Sequence, residues 1–510
     1  MKPKLLPFGL KSILLATALI QGISTAYAAD KALLDILLMN KAITQAQYNG
    51  LIDRPAITST DILSKPVVVA PVVAPVAETV LETVLETVLE TTAAPAIAEP
   101  ERQEITIERM VAAEVSEQIK DDFPVTAKRS SNGFRFETRD GNWQTNLQWR
   151  AQMRFTSPYR SDPRQISSLN GTEKSNFEAR RLRMKIGGHG LQPWIKYYFE
   201  VDLQPSRDVD DRSAASSTRV IDYRIDLAKW DWAQIRLGQW KVDLNRERVD
   251  SSGRQQFVER SIVNRVFTID RQLGVQLRGR LFKNTPADMR YYAGVFNGEG
   301  RSVNNDDNDL MYMARLQWNF FGRDLLWRQT DVEYTEKPTG SFAIAGVTNT
   351  GRCTRWSSRG CGRLDGFDSP ANALPGQFEI EQVVQEFAYK YRGFSAQQEF
   401  HRKTITDQSD NSRYALTGGY AQAGYFFHNV FPAVPAPLEL AMRYAFVDEP
   451  NGVDRSLENE RREFTLGANW FINGHSSKIT LDYSRLSIDD ALLATDDADN
   501  RVRLQWDVQF

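Results

Sequence analysis

Apolar and polar residues alternate in many segments of the C-terminal three quarters of the chain. From Trp143 to Phe155, mostly apolar residues occupy every second position, and Gln, Asn and Arg occupy the positions between them. The last ten residues, 501–510, repeat this pattern and end on Phe510. A period of two predicts β-strands that have one apolar face and one polar face.

About sixteen such segments occur within 134–510, an even number, as in bacterial outer-membrane barrels. Most have roughly the 9–11 residues that cross a bilayer at a tilt. Trp, Tyr and Phe cluster at many of their ends, which is typical of aromatic girdles at the membrane interfaces. We therefore predict an all-β fold, a transmembrane antiparallel β-barrel of about 16 strands over 134–510. The predicted strands are 143–156, 177–187, 193–204, 220–230, 233–242, 271–282, 289–297, 310–320, 324–335, 382–392, 394–406, 414–427, 437–448, 461–472, 477–489 and 501–510.

The N-terminus has the features of an export signal. Three lysines within the first eleven residues precede a short apolar run at 12–20, and Ala26-Tyr27-Ala28 has the small-x-small pattern of a cleavage site. We expect cleavage after Ala28, which gives a signal peptide over 1–28. A membrane anchor is disfavoured because the run is shorter than the ~20 residues that span a bilayer. A soluble β-sandwich or propeller would also alternate, but export and the strand lengths disfavour it.

The segment between the signal and the barrel divides into three parts. Residues 29–54 have the pattern of a short helical module, and 101–125 that of a charged amphipathic helix. Residues 55–100 form a low-complexity linker, in which Thr-Val-Leu-Glu repeats three times over 79–90. A period of four is compatible with a helical or coiled-coil stalk, and the composition is equally compatible with an extended spacer. Both readings stay open, and we expect this segment to lie in the periplasm.

Composition and motifs argue against several functions. The formal net charge is -2, so bulk charge predicts no nucleic-acid partner. The four histidines lie in no recognisable motif, and no phosphate-binding glycine loop or metal-ligand cluster stands out. We predict that the protein is not an enzyme and has no cofactor and no metal site.

The chain has only two cysteines, Cys353 and Cys361, in a segment rich in Gly, Ser and Arg. An exported protein meets an oxidising compartment, which favours a disulfide between them. Two free thiols are the alternative. We predict that the bridge restrains a loop at the barrel mouth.

Basic residues on the polar faces are the candidate functional groups, because these faces line the interior of a membrane barrel. They concentrate on the early strands and on the long connection 243–270, which we expect to fold inward as the third outer loop. Arginine suits oxyanions because its planar guanidinium donates two hydrogen bonds at once. The candidate pore-lining and anion-binding residues are Arg181, Arg183, Lys185, Arg236, Lys241, Arg246, Arg248, Arg254, Arg260, Arg265, Arg278 and Arg280.

Several motifs resemble those of the phosphate-selective porin O/P family. They are Ala179-Arg-Arg-Leu-Arg183, Arg236-Leu-Gly-Gln-Trp-Lys241, Phe257-Val-Glu-Arg-Ser261, Gln272-Leu-Gly-Val275, Tyr292-Ala-Gly-Val-Phe-Asn-Gly298 and Thr465-Leu-Gly-Ala-Asn-Trp470. The resemblance implies a sixteen-stranded, trimeric porin in outer-membrane lipid, with an inward third loop and an arginine- and lysine-lined channel for phosphate. It also implies that the barrel-assembly machinery recognises the terminal Phe510.

Together these features predict a bacterial outer-membrane porin that gives small solutes passive diffusion and prefers anions such as phosphate. The alternative is a structural anchor, in which the barrel tethers a periplasmic stalk to the cell wall. The Thr-Val-Leu-Glu repeat motivates this alternative. A plugged anchor would pass no current across a planar bilayer.

Overall fold

The computed structural model of the 510-residue chain describes residues 125–130, 133–159, 174–203, 218–492 and 495–510. The predicted signal peptide, helical module and repeat-bearing linker lie outside these residues, as does the predicted helix 101–125 except for Val125, which begins the first strand. In the described part of the chain, no helix is both long and apolar enough to cross a membrane.

Strands make up most of the described residues, because period-two sequences satisfy their backbone groups by pairing with neighbours. The strands are Val125–Ser130 (β1), Gly133–Thr138 (β2), Gln144–Ser157 (β3), Asn176–Gly190 (β4), Gln192–Asp202 (β5), Arg219–Trp230 (β6), Ala233–Lys241 (β7), Arg271–Leu281 (β8), Met289–Phe296 (β9), Met311–Trp318 (β10), Thr339–Gly351 (β11), Arg355–Ser357 (β12), Gly360–Gly362 (β13), Phe378–Tyr391 (β14), Phe394–Asp407 (β15), Ser412–Tyr425 (β16), Leu438–Pro450 (β17), Glu458–Asn473 (β18), Ser477–Asp490 (β19) and Thr495–Gln509 (β20).

Sixteen of these strands, β3–β11 and β14–β20, form one closed antiparallel barrel. Each pairs with its sequence neighbours, and β20 pairs with β3 in a register that sets Gln509 opposite Arg150 and closes the sheet. The predicted fold class and strand number are therefore confirmed. A closed barrel leaves no unpaired sheet edge, as a bilayer requires.

The sequence interpretation missed a hairpin before the barrel. Strands β1 and β2 pair with each other, and β2 continues onto the first four residues of β3, with Phe134 opposite Leu147. A second small hairpin, β12–β13, lies outside the barrel sheet. The helices among the described residues are short: Arg246–Val249 (α1), Val263–Phe267 (α2) and a 3₁₀ turn at Phe427–Asn429.

One predicted strand is wrong. Residues 324–335 form a loop, and the ninth barrel strand is β11, which begins at Thr339. Strand β11 escaped detection because its buried side carries Ala343, Ala345 and Val347, so that apolar residues occupy both of its faces. The total came out right because the false strand replaced the true one.

The alternation along the barrel strands separates an outer from an inner face, as predicted. On β20, Val502, Leu504 and Trp506 are exposed, whereas Arg501 and Arg503 are buried. Exposed apolar side chains belong on the lipid-facing surface of a membrane barrel. The polar faces therefore point to the interior.

The connections between strands lie at two ends of the barrel. We call the end at which Phe510 lies the terminal end and the opposite end the loop end. Three connections at the loop end matter below: the long loop (242–270), the acidic loop (297–310) and the disulfide loop (352–377). One long connection, the terminal-end loop (319–338), joins β10 to β11 at the other end.

Candidate pore and its charged lining

The long loop lies inside the barrel, as predicted, and reaches the wall opposite its own strands. Its backbone N–H groups donate to wall carboxylates: Arg246 to Glu386 at 2.9 Å, Val258 to Asp482 at 2.9 Å and Ile262 to Glu463 at 2.9 Å. The loop contains only two short helices, α1 and α2, so many of its backbone donors need partners from outside the loop. The inward acids of β14, β18 and β19 supply such partners.

Side chains of β3 hold the loop on its other flank. The Arg150 guanidinium donates to the Ser252 hydroxyl at 3.0 Å, and Arg154 forms an ion pair with Glu259 at 2.6 Å. Gln152 Nε2 donates to the Ser252 carbonyl at 3.2 Å. The loop is thus fixed to strands on both sides of the barrel closure.

An apolar cluster forms beneath the loop, inside the barrel. Val266 and Phe267 of α2 are completely buried there, together with Trp356 of the disulfide loop and Ile380 and Ile405 of the wall. Burial of such side chains stabilises each by about 1.5–3 kcal/mol relative to exposure. Part of the lumen is therefore a packed core rather than open space.

In the structure, Cys353 and Cys361 are joined by a disulfide. It closes the hairpin β12–β13 of the disulfide loop, and Cys353 is part of the apolar cluster. The Trp356 indole on the same hairpin donates to the Gly298 carbonyl of the acidic loop at 2.6 Å. The bridge therefore shapes a loop that covers the lumen at the loop end.

The terminal-end loop also contacts the long loop. Gln329 accepts the Gln256 backbone N–H at 2.7 Å and donates to the Gln255 side chain at 2.7 Å. Arg246 donates to the Leu326 carbonyl. Residues predicted as a strand thus support the long loop from below, which explains why Leu325 and Gln329 are buried.

A space of about 510 Å³ remains between the long loop and the wall of β3–β7, and we call it the main opening. Seven of its lining residues are basic and four are acidic. The basic ones are Arg183, Lys185, Lys196, Arg224, Arg236, Lys241 and Arg254, and the acidic ones are Glu200, Asp222, Asp226 and Asp243.

Each acid of the main opening is paired with arginine. Arg183 binds Glu200 at 2.9 Å, and Arg271 binds Asp222 at 2.9 Å. Arg236 binds Asp226 and lies 3.6 Å from Asp243. The negative charges of the lining are therefore compensated locally.

Several of the cations lack such compensation. In the part of the chain that the structure describes, no carboxylate lies within 4.0 Å of the charged groups of Lys185, Lys196, Lys241 or Arg254. Lys185 projects from the wall and Arg254 from the long loop, so they face the opening from its two sides. The uncompensated charge of the opening is positive.

Lys241 differs from the other three cations. Its ammonium group donates to the carbonyls of Arg248, Val249 and Asp250 at 3.2–3.5 Å, at the C-terminal end of α1. A cation is favourable there because helix carbonyls are unpaired at this end. Lys241 therefore positions the long loop through these hydrogen bonds.

A second opening of about 250 Å³ adjoins the first and shares Arg236, Asp243 and Val249 with it. Arg278 lies 3.4 Å from Asp243 and stacks on Tyr292, and Arg290 pairs with Asp324. The terminal-end loop supplies its remaining lining with Leu325, Leu326 and Trp327.

The predicted site residues separate into two groups. Those that line an opening are Arg183, Lys185, Arg236, Lys241, Arg254 and Arg278. Those that do not are Arg181, Arg246, Arg248, Arg260, Arg265 and Arg280. Most residues of the second group bind other protein side chains or backbone groups. Arg181 donates to Gln152 at 2.8 Å, and Arg248 pairs with Asp270. Arg260 donates to the Glu247 carbonyl at 2.7 Å, and Arg280 donates to Asp288 at 2.9 Å.

Three lining cations, Lys196, Arg224 and Arg290, are not among the predicted site residues. Lys196 shares its face of β5 with Glu200, and Arg290 shares its face of β9 with the buried Tyr292. The alternation of inward and outward residues that selected Lys185 would therefore also have selected Lys196 and Arg290. No sequence signal marked Trp327, because its position depends on the inward course of the terminal-end loop.

Ionisable groups of the long loop have unusual environments. Burial raises the pKa of Asp250 to about 6, although Arg246, Arg254 and Arg260 oppose this change. Burial also opposes ionisation of Glu259, but the guanidinium groups of Arg154, Arg180 and Arg181 hold the pKa of Glu259 well below its usual range. Glu259 thus stays anionic and fixes the loop to β3 and β4.

Several solved outer-membrane proteins are similar to this chain. OmpTdeltaL8, a loop-deletion mutant of the Vibrio cholerae outer membrane protein OmpT, is 8% identical, with 72% of this chain and 99% of that chain covered and a TM-score of 0.47. The outer membrane channel DcaP of Acinetobacter baumannii is 12% identical, with 74% of this chain and 99% of that chain covered and a TM-score of 0.45. An anion-selective porin from Comamonas acidovorans is 10% identical, with 72% of this chain and 99% of that chain covered and a TM-score of 0.43.

A search of curated protein sequences finds no match. The model of the family described as phosphate-selective porin O and P matches residues 154–510, which is more than half of the chain and nearly the whole barrel. The chain therefore belongs to the phosphate-selective porin O and P family and is a bacterial outer-membrane β-barrel.

Proposed function

We propose that this porin is a passive channel that prefers small anions, with the main opening as its selective constriction. The observation that carries this proposal is the asymmetric pairing of the lining. Its four acids are bound by arginines, whereas Lys185, Lys196 and Arg254 have no acidic partner among the described residues. Anions entering the opening gain attraction that cations do not.

Oxyanions such as phosphate are the proposed preferred solutes. Arg254 and Lys185 have no hydrogen bond from their side chains to the described residues, so their N–H groups are available to a solute. Guanidinium and ammonium donors on two sides of an opening suit the several oxygens of phosphate. The family description supports the same class of solute. Weak binding at successive sites permits passage rather than retention.

The proposed assembly is a homotrimer in outer-membrane lipid, with the loop end outward, as the family resemblance implies. The proposed assembly signal for the barrel-assembly machinery is the terminal Phe510. Its side chain is 59% exposed, while its backbone pairs with Trp149 at 2.8 and 3.0 Å. The backbone thus fixes this residue at the terminal end and leaves its ring accessible.

Reversal potentials in a KCl gradient across a planar bilayer test the preference. The full chain should favour chloride, and the double variant Lys185→Gln, Arg254→Gln should reduce the chloride-to-potassium permeability ratio about fivefold. This corresponds to about 1 kcal/mol, the interaction of two charges 4 Å apart in water. Chloride preference should fall with ionic strength faster than block by phosphate does, because screening acts on long-range attraction more than on short contacts.

The matched control removes two positive charges outside the openings, in the variant Lys283→Gln, Arg413→Gln. The side chains of these residues are 38% and 67% exposed and pair with surface acids. The control should leave the reversal potential unchanged. A native channel that prefers cations, or an equal effect of the two double variants, contradicts the proposal. Absence of any current supports the structural anchor instead.

A further inference from the structure

Three carboxylates of the acidic loop converge at the loop end. Ligand oxygens of Glu299, Asp306 and Asp307 all lie within 4.8 Å of one another. The cation that contacts them is Arg352 of the disulfide loop, whose Nε lies 2.6 Å from Asp306 Oδ2. Three carboxyl groups thus converge on one guanidinium group, and carboxylates at this distance repel one another.

Two of these carboxylates have buried oxygens without a hydrogen-bond donor. Glu299 is 4% exposed, and its Oε1 has no partner. Its Oε2 lies 3.6 Å from Sγ of Cys353, which is oxidised and has no hydrogen to donate. Asp307 Oδ1 accepts the Asp309 N–H at 2.8 Å, but its Oδ2 is buried and unpartnered. Buried carboxylate oxygens are costly unless a cation or a donor satisfies them.

A polar side chain of the wall points to the same place. Asn349 on β11 is 1% exposed, and neither its Oδ1 nor its Nδ2 has a hydrogen-bond partner. A Cβ added to Gly351 would lie 2.5 Å from Glu299 Oε1 and 3.3 Å from Asn349 Nδ2, so both groups border the gap above this glycine. Rotation of the carboxamide by half a turn directs its oxygen to the gap.

We propose that Glu299, Asp306 and Asp307 bind a divalent cation of the size and hardness of Ca²⁺, with the Asn349 carbonyl as a further ligand. Ca²⁺ takes oxygen ligands at 2.3–2.6 Å, so two ligands of one ion are at most about 5 Å apart. The observed limit of 4.8 Å meets this condition. Soft metals are disfavoured because the neighbouring cysteines are bonded to each other rather than present as thiolates.

The cation would join the acidic loop to the disulfide loop and the wall. These segments already touch, because a Cβ added to Gly300 would lie 2.6 Å from the Cys361 nitrogen. Binding would also neutralise acids at the loop end and so favour anion entry. This last effect rests on the proposed anion preference, whereas the binding itself does not.

Titration of the folded full chain in detergent tests the site. Calorimetry with Ca²⁺ should give saturable binding with a Kd of about 0.1–1 mM, the range of extracellular Ca²⁺ modules. Tb³⁺ in the site should luminesce on tryptophan excitation, because the Trp356 indole contacts Gly298 next to Glu299. The variant Glu299→Gln, Asp307→Asn should lose at least about tenfold in affinity, since two of three anionic ligands are removed.

The matched control is Asp410→Asn, an exposed acid on another loop, and it should bind like the native chain. A heat-dependent shift in gel mobility shows that each variant has a folded barrel. The exposed Asp306 provides a second variant, Asp306→Asn, that leaves the buried carboxylates in place. Absence of saturable Ca²⁺ binding by the native chain overturns the proposal, as does equal affinity of the site variants and the control. Selectivity measured in a chelator tests the anion preference separately, since a cation-preferring channel would still bind Ca²⁺.

Discussion

The barrel wall has an open half and a covered half whose inward faces differ, and β3 contributes to both. On the open half, β4–β9, inward charges such as Lys185 and Arg236 border the openings. On the covered half, β10, β11 and β14–β20, inward residues are buried beneath the long loop and the disulfide loop. They include apolar residues such as Val384 and ion pairs such as Arg503 with Asp482.

This difference explains the many inward acids of a channel proposed to prefer anions. Glu386, Glu399, Glu463 and Asp482 would oppose anion passage if they bordered the openings. Each is instead buried and accepts backbone N–H groups of the long loop. In the proposed channel, acids of the covered half therefore hold the long loop in the lumen, and cations of the open half and of the long loop set the charge of the main opening.

The largest expected effect comes from detaching the long loop from the covered half. Phe267 of α2 is completely buried, stacks on His401 with ring centroids 5.3 Å apart and packs against Gly418. The substitution Phe267→Ala should cost about 3–5 kcal/mol of loop docking. Single-channel recordings should then show a larger and noisier conductance.

The control for this experiment is Phe464→Ala on β18, which removes a ring that is 38% exposed on the outer face. It should leave the conductance unchanged. If Phe267→Ala also leaves it unchanged, the polar contacts alone hold the loop, and the apolar cluster does not decide the width of the pore.

The next expected effect distinguishes a buried arginine of the covered half from an arginine of the long loop that borders the main opening. Arg503 is 5% exposed and binds Asp482 through two hydrogen bonds at 2.7 and 3.0 Å. The substitution Arg503→Met leaves the buried Asp482 without its cation, which should cost about 3–5 kcal/mol. The temperature of the heat-induced mobility shift should fall, while the reversal potential stays the same. Arg254→Gln should change the reversal potential and leave the temperature of the mobility shift the same. A change of selectivity in Arg503→Met would contradict the division into halves.

A smaller effect should depend on pH through Glu247 of the long loop. Burial raises the pKa of this completely buried carboxyl to about 7, and the charge of Glu399 adds to the effect, whereas Arg443 and the two hydrogen bonds from Ser261 oppose it. The docked loop then binds more protons than a released loop, whose carboxyl has a pKa of 4.5. Docking should therefore strengthen as pH falls from about 7 to about 4.5, by at most about 3 kcal/mol.

Current noise from loop motion should accordingly be greater at pH values above 7 than below 5. The variant Glu247→Gln should flatten this dependence, because it is neutral throughout. Other charged groups near Glu247 are Arg260 and, beside Glu399, His401. Noise that rises as pH falls would assign the dependence to those groups instead.

Sequence patterns predicted the barrel well because strand pairing and lipid exposure are decided locally. The parity of residues such as Leu504 and Arg503 places one outward and the next inward whatever the distant chain does. The same argument failed for β11, where Ala345 and Val347 face inward and the apolar outer face lost its contrast. It also failed for residues 324–335, which alternate like a strand but form a loop that contacts the long loop.

The sequence alone determined that a closed barrel forms, which side chains point inward and that Cys353 and Cys361 can pair. Only the tertiary structure decided which inward cations border open space. The alternation of the strands directs both Lys185 and Arg503 to the interior. Arg503 is buried beneath the long loop, whereas Lys185 borders the main opening. The course of that loop depends on contacts between residues more than two hundred positions apart, such as Val258 with Asp482. A period of two along a strand contains no information about such contacts.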